Sequence, residues 1–142
     1  MSLPDLKDCI LDHIAIAVKS IPATKKIYED MGLVFDPTVE EVKDQKVFTA
    51  FAHVDHNAHI ELLQPTSDDS TIHKFIESKG EGIHHLCFKV PDVMAKTLEL
   101  TQKGFKFIYP EPRLGAGGCL VNFIHPKSTG GVLIEISQRP KS

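Results

Sequence analysis

Two histidines and two glutamates carry the chemistry that this sequence presents. His13 stands in Leu11-Asp12-His13-Ile14-Ala15-Ile16-Ala17-Val18, and His85 in Ile83-His84-His85-Leu86-Cys87-Phe88-Lys89-Val90, 85 − 13 = 72 positions later. Glu61 lies in Ile60-Glu61-Leu62 and Glu135 in Ile134-Glu135-Ile136. All four fall in aliphatic, β-branched runs that read as strands. Glutamate is rarely buried alone, so an acid inside such a strand needs a cation or hydrogen-bond donors. Two neutral imidazoles with two carboxylates form an N/O ligand set suited to a divalent ion such as Zn, Co, Mn, Ni or Fe. A lone strand histidine is more often a hydrogen-bonded core residue. The recurrence of one His and one Glu in two copies is what favours the metal.

The elements that must position these residues are themselves duplicated. At the 72-residue offset Val18 meets Val90, Ala23 meets Ala95, Gly32 meets Gly104 and Phe35 meets Phe107. Such self-similarity marks two copies of one unit. The first copy reads as a strand over Leu11–Val18, then a helix opened by Ser20-Ile21-Pro22 and closed by Gly32, where a left-handed cap suits glycine. A strand at Leu33-Val34-Phe35 follows, and then a polar stretch, Glu40-Glu41-Val42-Lys43-Asp44, read as a loop with solvated charges. A hairpin of 47–54 and 58–64 turns at Asp55-His56-Asn57. A linker helix capped by Asp69 or Ser70 precedes the second copy: strand 83–90, a helix from Pro91-Asp92 to Lys103, the cap Gly104, and strands 105–109, 119–124 and 132–137. Between these, Pro110 to Gly118 is a glycine-rich loop. The domain is placed at 8–140, with module one at 10–65, the linker helix at 70–80 and module two at 82–138.

Strand parity decides which side chains share a face. His13, Ala15 and Ala17 oppose Ile14, Ile16 and Val18, whose bulk should pack on the helix. His85, Cys87 and Lys89 likewise oppose Leu86, Phe88 and Val90. His59, Glu61 and Leu63 share one face, as do Leu133, Glu135 and Ser137. Parity therefore selects His85 for the site and sends His84 to the other face, in a structural role.

A length of 142 residues suits one domain of two modules, and a net charge of −3 provides no basic footprint for nucleic acid or anionic membrane. Three cysteines, Cys9, Cys87 and Cys119, fit neither a metal-ligand spacing nor an even disulfide set. The start, Met1 to Lys7, lacks a signal pattern, and no apolar run approaches a membrane span. A soluble cytoplasmic protein with a small-molecule partner is the expectation.

The chain resembles the vicinal-oxygen-chelate (glyoxalase) superfamily, and within it the methylmalonyl-CoA epimerase family. The likeness runs from Leu11-Asp12-His13-Ile14 through Ile60-Glu61-Leu62-Leu63-Gln64-Pro65 and Gly82-Ile83-His84-His85 to Gly130-Gly131-Val132-Leu133-Ile134-Glu135. Its most specific parts are Glu111-Pro112-Arg113-Leu114-Gly115-Ala116-Gly117-Gly118 and His125-Pro126-Lys127-Ser128-Thr129-Gly130-Gly131. The resemblance implies an α+β fold of two paired βαβββ modules whose mixed sheet curls around a metal cleft, and a homodimer. It implies metal ligation by His13, Glu61, His85 and Glu135, with a divalent metal ion (Co, Mn, Ni or Zn) as cofactor. The implied reaction interconverts (R)- and (S)-methylmalonyl-CoA by α-proton removal and return, with a metal stabilising the enolate. Glu135 is the implied acid/base on one face and Glu61 or a water on the other, because Thr49 stands where some family members have a glutamate. Arg113, Lys127 and Lys89 are candidates for an acyl-CoA's anionic groups. A glyoxalase I-type isomerase and a non-catalytic binding protein are the alternatives. His53, His56 and His59 read as a solvated turn, and Gly115-Ala116-Gly117-Gly118 as a flap or tight turn rather than a dinucleotide fingerprint.

Overall fold

The computed structural model describes residues 9–140. The expectations placed on Met1 to Lys7 and on a domain start at residue 8 lie outside the described residues. The chain divides into two compact units, one from His13 to His85 and one built on the stretch from Leu86 onward.

In the first unit the strands are β1 (Ile10–Ala17), β2 (Val34–Phe35), β3 (Glu40–Val42), β4 (Val47–His53) and β5 (His59–Pro65). Their order is β2-β4-β5-β1, with β3 also on β4. β1 runs parallel to β5, with His13 opposite His59 and Ala15 opposite Glu61. β4 and β5 form the expected antiparallel hairpin. Helix α1 (Ile21–Asp30) starts where Ser20 Oγ accepts from the Ala23 N–H at 3.3 Å. It stops at Gly32, whose φ of +107° turns the chain back so that the Leu33 N–H reaches the Tyr28 carbonyl at 3.0 Å. Val18, Ile21, Phe35, Ala50, Ala52 and Leu62 form the core beneath α1, with Ile16 and Ile60 packed on it. The bulky parity class of β1 does face the helix, which frees the other class for the site. Helix α2 (Thr71–Lys79), capped by Ser70, follows.

Strand β6 (Gly82–Lys89) begins in the first unit, to which His85 belongs, and runs on into the second, which repeats the plan with α3 (Val93–Gln102), β7 (Arg113–Leu114), β8 (Leu120–Ile124) and β9 (Ile134–Gln138). The order is β6-β9-β8-β7, with β6 parallel to β9 and the rest antiparallel. Asp92 Oδ1 caps α3 through the Ala95 N–H at 3.0 Å, and Gly104 at φ +96° ends it. Val90, Val93, Ile124 and Ile136 make its core. The copies agree down to a long-range cap. Gln64 Oε1 accepts from the Ile21 N–H at 2.7 Å, and Gln138 Oε1 from the Val93 N–H at 2.9 Å.

Three expectations change. Glu40–Val42 is not a loop: it is β3, with Glu40 opposite Thr49 and Val42 opposite Val47. A 3-10 turn over Lys43–Gln45 and a left-handed Lys46 (φ +55°) return the chain to β4. The stretch 105–109 is not a full strand. It makes a single bridge, Phe107 to Ile124, and the Asn122 side chain then takes the Tyr109 N–H (3.3 Å) and carbonyl (3.2 Å) in place of a ladder. Within 110–118, Arg113 and Leu114 pair with β8, and a turn with Gly117 and Gly118 at φ +67° and +75° closes the hairpin. The tight-turn reading of that segment holds.

Candidate metal centre

Strand parity brings three of the four expected ligands together within the first unit. His13 Nε2 lies 3.3 Å from Glu61 Oε2, and the rings of His13 and His85 meet edge to face with centroids 5.5 Å apart. His13, Glu61 and His85 are 6%, 6% and 4% exposed, so water contributes little to balancing this carboxylate. A buried acid against imidazole is stable when a positive charge, from a proton or a metal ion, is shared among them. The position opposite Glu61 on β1 is Ala15, a side chain small enough to leave room above the acid.

Glu135 has the corresponding post in the second unit. It is 7% exposed, faces Cys87 across the parallel pair and Phe123 across the antiparallel one. Those partners sit 72 positions after Ala15 and Phe51, the partners of Glu61, but the acids themselves are 135 − 61 = 74 apart. Counted between paired residues, the path from Phe123 to Glu135 is two residues longer than that from Phe51 to Glu61. Register, not a fixed offset, equates the two acids.

The remaining candidates are placed as follows. Lys89 ends β6 opposite Ser137 and is half-buried. Arg113, exposed on β7, lays its guanidinium 4.1 Å from the Tyr109 ring centroid. Lys127 is exposed in the turn Pro126–Ser128, its backbone N–H donating to His125 Nδ1 at 3.0 Å. Thr49 is 1% exposed and its hydroxyl donates to the Glu40 carbonyl at 3.3 Å. His84 is half-buried against Phe75 of α2, ring centroids 4.9 Å apart, and its Nδ1 lies 2.9 Å from Nδ1 of His85.

His59 corrects the sequence reading. His56 is exposed in the turn and His53 is exposed at the end of β4, but His59 is half-buried inside β5. Its ring sits 5.1 Å from that of His13 and edge-on to Phe51 at 4.9 Å. Parity with Glu61 already put it on this face; proximity to a histidine-rich turn obscured the signal.

The profile of the Glyoxalase/Bleomycin resistance protein/Dioxygenase superfamily matches residues 12–123. An ethylmalonyl-CoA/methylmalonyl-CoA epimerase of Cereibacter sphaeroides is 35% identical over 130 residues, covering 90% of this chain and 96% of that protein. Among solved structures, methylmalonyl-CoA epimerase from Mycobacterium tuberculosis aligns with a TM-score of 0.90 at 33% identity, covering 99% of this chain and 94% of that one. A methylmalonyl-CoA epimerase solved with methylmalonyl-CoA and NH4+ aligns with a TM-score of 0.88 at 33% identity, over 93% of this chain and 95% of that one. The α+β, glyoxalase-like fold that the resemblance implied is the fold of these neighbours.

Proposed function

The chain belongs to the Glyoxalase/Bleomycin resistance protein/Dioxygenase superfamily, and from that membership we propose that it is a metal-dependent epimerase interconverting (R)- and (S)-methylmalonyl-CoA. The observation that carries this reading is a buried carboxylate, Glu61, 3.3 Å from the imidazole of His13, whose ring meets that of His85, in a chain alike over nine-tenths of its length to epimerases of that ester. His13, Glu61, His85 and Glu135 are the ligands of this proposal. The set is all nitrogen and oxygen and fits Co, Mn, Ni or Zn. A bound ion would supply Lewis acidity toward the substrate's oxygens.

The chain's own residues supply the proton traffic. The C–H bond between the carboxylate and the thioester breaks, its electron pair moves into the thioester carbonyl, and a carboxylate takes the proton; a second carboxylic acid returns one to the opposite face. Glu135 and Glu61 are the acid/base pair of this reading, one for each face. For the acyl-CoA's phosphates, Lys127 joins Lys103 and Lys106 around an open cavity of about 340 Å³. At the 72-residue offset these three lysines stand where the first copy has Asp55, Met31 and Val34, so only the second copy acquired the charge. Arg113 and Lys89 are the candidates for the substrate's carboxylate. Reduced cysteines and a CoA-ester substrate suit a cytoplasmic enzyme, and a homodimer is the assembly we assign. Among the described residues no helix is long and apolar enough to cross a membrane.

The test is direct. Protein loaded with each of Co, Mn, Ni and Zn is mixed with (R)-methylmalonyl-CoA in deuterated water, and deuterium entry at the α-carbon and formation of the (S) form are followed. Absence of both with every metal refutes the reading. Turnover of methylglyoxal with glutathione in preference to the CoA ester would assign it to the glyoxalase I type, and tight ligand binding without turnover to a binding protein.

A further inference from the structure

We propose that Glu40, rather than Glu61, carries the proton on the first unit's side of the reacting carbon. This refines the acid/base pair and rests on the epimerase reading. An epimerase of this kind needs one acid/base group on each face. On the first unit's side Glu61 is buried and 3.3 Å from His13, and a carboxylate outside the ligand set stands on the same sheet face.

Cross-strand register finds another acid. Residues opposite one another in an antiparallel pair point to the same face. Glu40 is opposite Thr49, Thr49 is opposite Leu63, and Leu63 shares its face with Glu61. Leu63 in turn is opposite Ala17 of β1, which shares its face with His13. The face that bears His13 and Glu61 therefore also bears Glu40. The other residues that these strands turn to it include Ala15, Val42, Val47, Thr49, Phe51, His53 and His59. Among the described residues of that face, Glu40 is the one carboxylate outside the ligand set. Thr49 is no substitute, because its hydroxyl already donates to the Glu40 carbonyl.

The spacing suits a small acyl group. Two strand spacings of about 4.8 Å and two residues of about 3.3 Å separate the Cα atoms of Glu40 and Glu61 by roughly 12 Å in a flat sheet. Side chains stand roughly perpendicular to a sheet, so two carboxylates rising from one face at that spacing flank a space that a small acyl group can occupy. Glu40 is half-buried, so it is partly desolvated without being sealed from the water that must renew its proton.

The duplication supplies a second, independent argument. Position 121 of β8 corresponds to position 49 of β4, and the residue opposite it is Arg113. The same structural post thus holds a carboxylate in one copy and a guanidinium in the other. A substrate with an acidic C–H and an anionic carboxylate calls for one of each.

The experiment compares wild type with Glu40→Gln and Glu40→Asp. Expected for Glu40→Gln are an unchanged melting curve, metal affinity within twofold of wild type, and inversion slowed 10²- to 10⁴-fold. In deuterated water one enantiomer still exchanges its α-proton through Glu135 while the other is inert. Glu40→Asp, with the acid withdrawn by one methylene, falls between wild type and Glu40→Gln. Inversion by Glu40→Gln within threefold of wild type overturns the inference and leaves the epimerase reading intact. Equal loss of exchange from both enantiomers together with lost metal affinity also overturns it, by showing a structural role. A wild type that inverts neither enantiomer overturns the epimerase reading and this inference with it.

Discussion

Replacing His84 with Phe tests the metal centre through a residue outside the ligand set. The two Nδ1 atoms of His84 and His85 are 2.9 Å apart, and two ring nitrogens at that distance share one proton. If His84 donated it, neutral His85 would carry its own proton on Nε2 and offer no lone pair there. Ligation through Nε2 therefore requires His85 to donate and His84 to accept. Such partners of ligating histidines contribute roughly 10- to 100-fold to metal affinity. The Phe side chain keeps the edge-to-face packing on Phe75 while removing the acceptor. His84→Phe should weaken Co or Zn binding by about that factor, or about 1.4–2.7 kcal/mol. At saturating metal the metal-induced gain in stability falls by the same amount, roughly 3–10 °C of melting temperature for a chain of this size. Calorimetric titration of the metal-free protein, backed by melts with and without metal, measures both. Metal affinity within twofold of wild type, with the fold intact, would refute the reasoning.

Other outcomes follow from the same geometry. Gln64→Ala and Gln138→Ala each free the first N–H of a helix, α1 or α3, and each should cost about 1 kcal/mol, or 2–4 °C; thermal melts showing a loss for one and none for the other would contradict the equivalence of the two copies. Gly32→Ala and Gly104→Ala meet no atom within 4 Å, so their cost is backbone strain alone at φ +107° and +96°, about 1–2 kcal/mol and equal within error; denaturant titration tests this. The N–H groups of Ala58 and Asn57 hold the Asp55 carboxyl below its ordinary 3.8. A depressed carboxyl stabilises the fold above the unfolded value and loses that contribution as pH falls through the folded one. Asp55→Asn keeps an oxygen acceptor without the charge, so its melting temperature should trail wild type at pH 6 and converge with it as the pH falls below 3.8.

Most of what positions the site was legible because it rests on short-range rules. Ser20 and Asp92 as caps, Gly32 and Gly104 as stops, and the alternation around His13, Glu61, His85 and Glu135 each state a local preference that the packing respects. What escaped has long-range causes. β3 is three residues long, too short to show a period of two, and only its pairing with β4 reveals it. The stretch 105–109 has strand composition, yet the side chain of Asn122 intercepts its backbone groups. His59 carried the right parity, but three histidines around a turn looked like one solvated group.

The same distinction governs what the duplication can teach. The 72-residue offset holds for β1, the helix caps and β4 against β8, where an insertion would lose register, and becomes 113 − 40 = 73 between the Glu40 and Arg113 posts. It slips by two residues in the connection before β9, on the surface, where extra length costs little. Glu61 and Glu135 keep identical posts opposite Phe51 and Phe123 across that slip. Conformity at the acids and divergence around them, with Glu40 against Arg113 and Val34 against Lys106, argue that ligation is shared by the two copies. On the proposed reading the Glu40 post serves proton transfer in the first copy, while the matching Arg113 post in the second serves recognition of the anionic substrate. Exchanging Glu40 and Arg113 for one another should therefore leave metal binding intact while inversion is lost, and retained inversion in that double variant would show that the two posts are interchangeable after all.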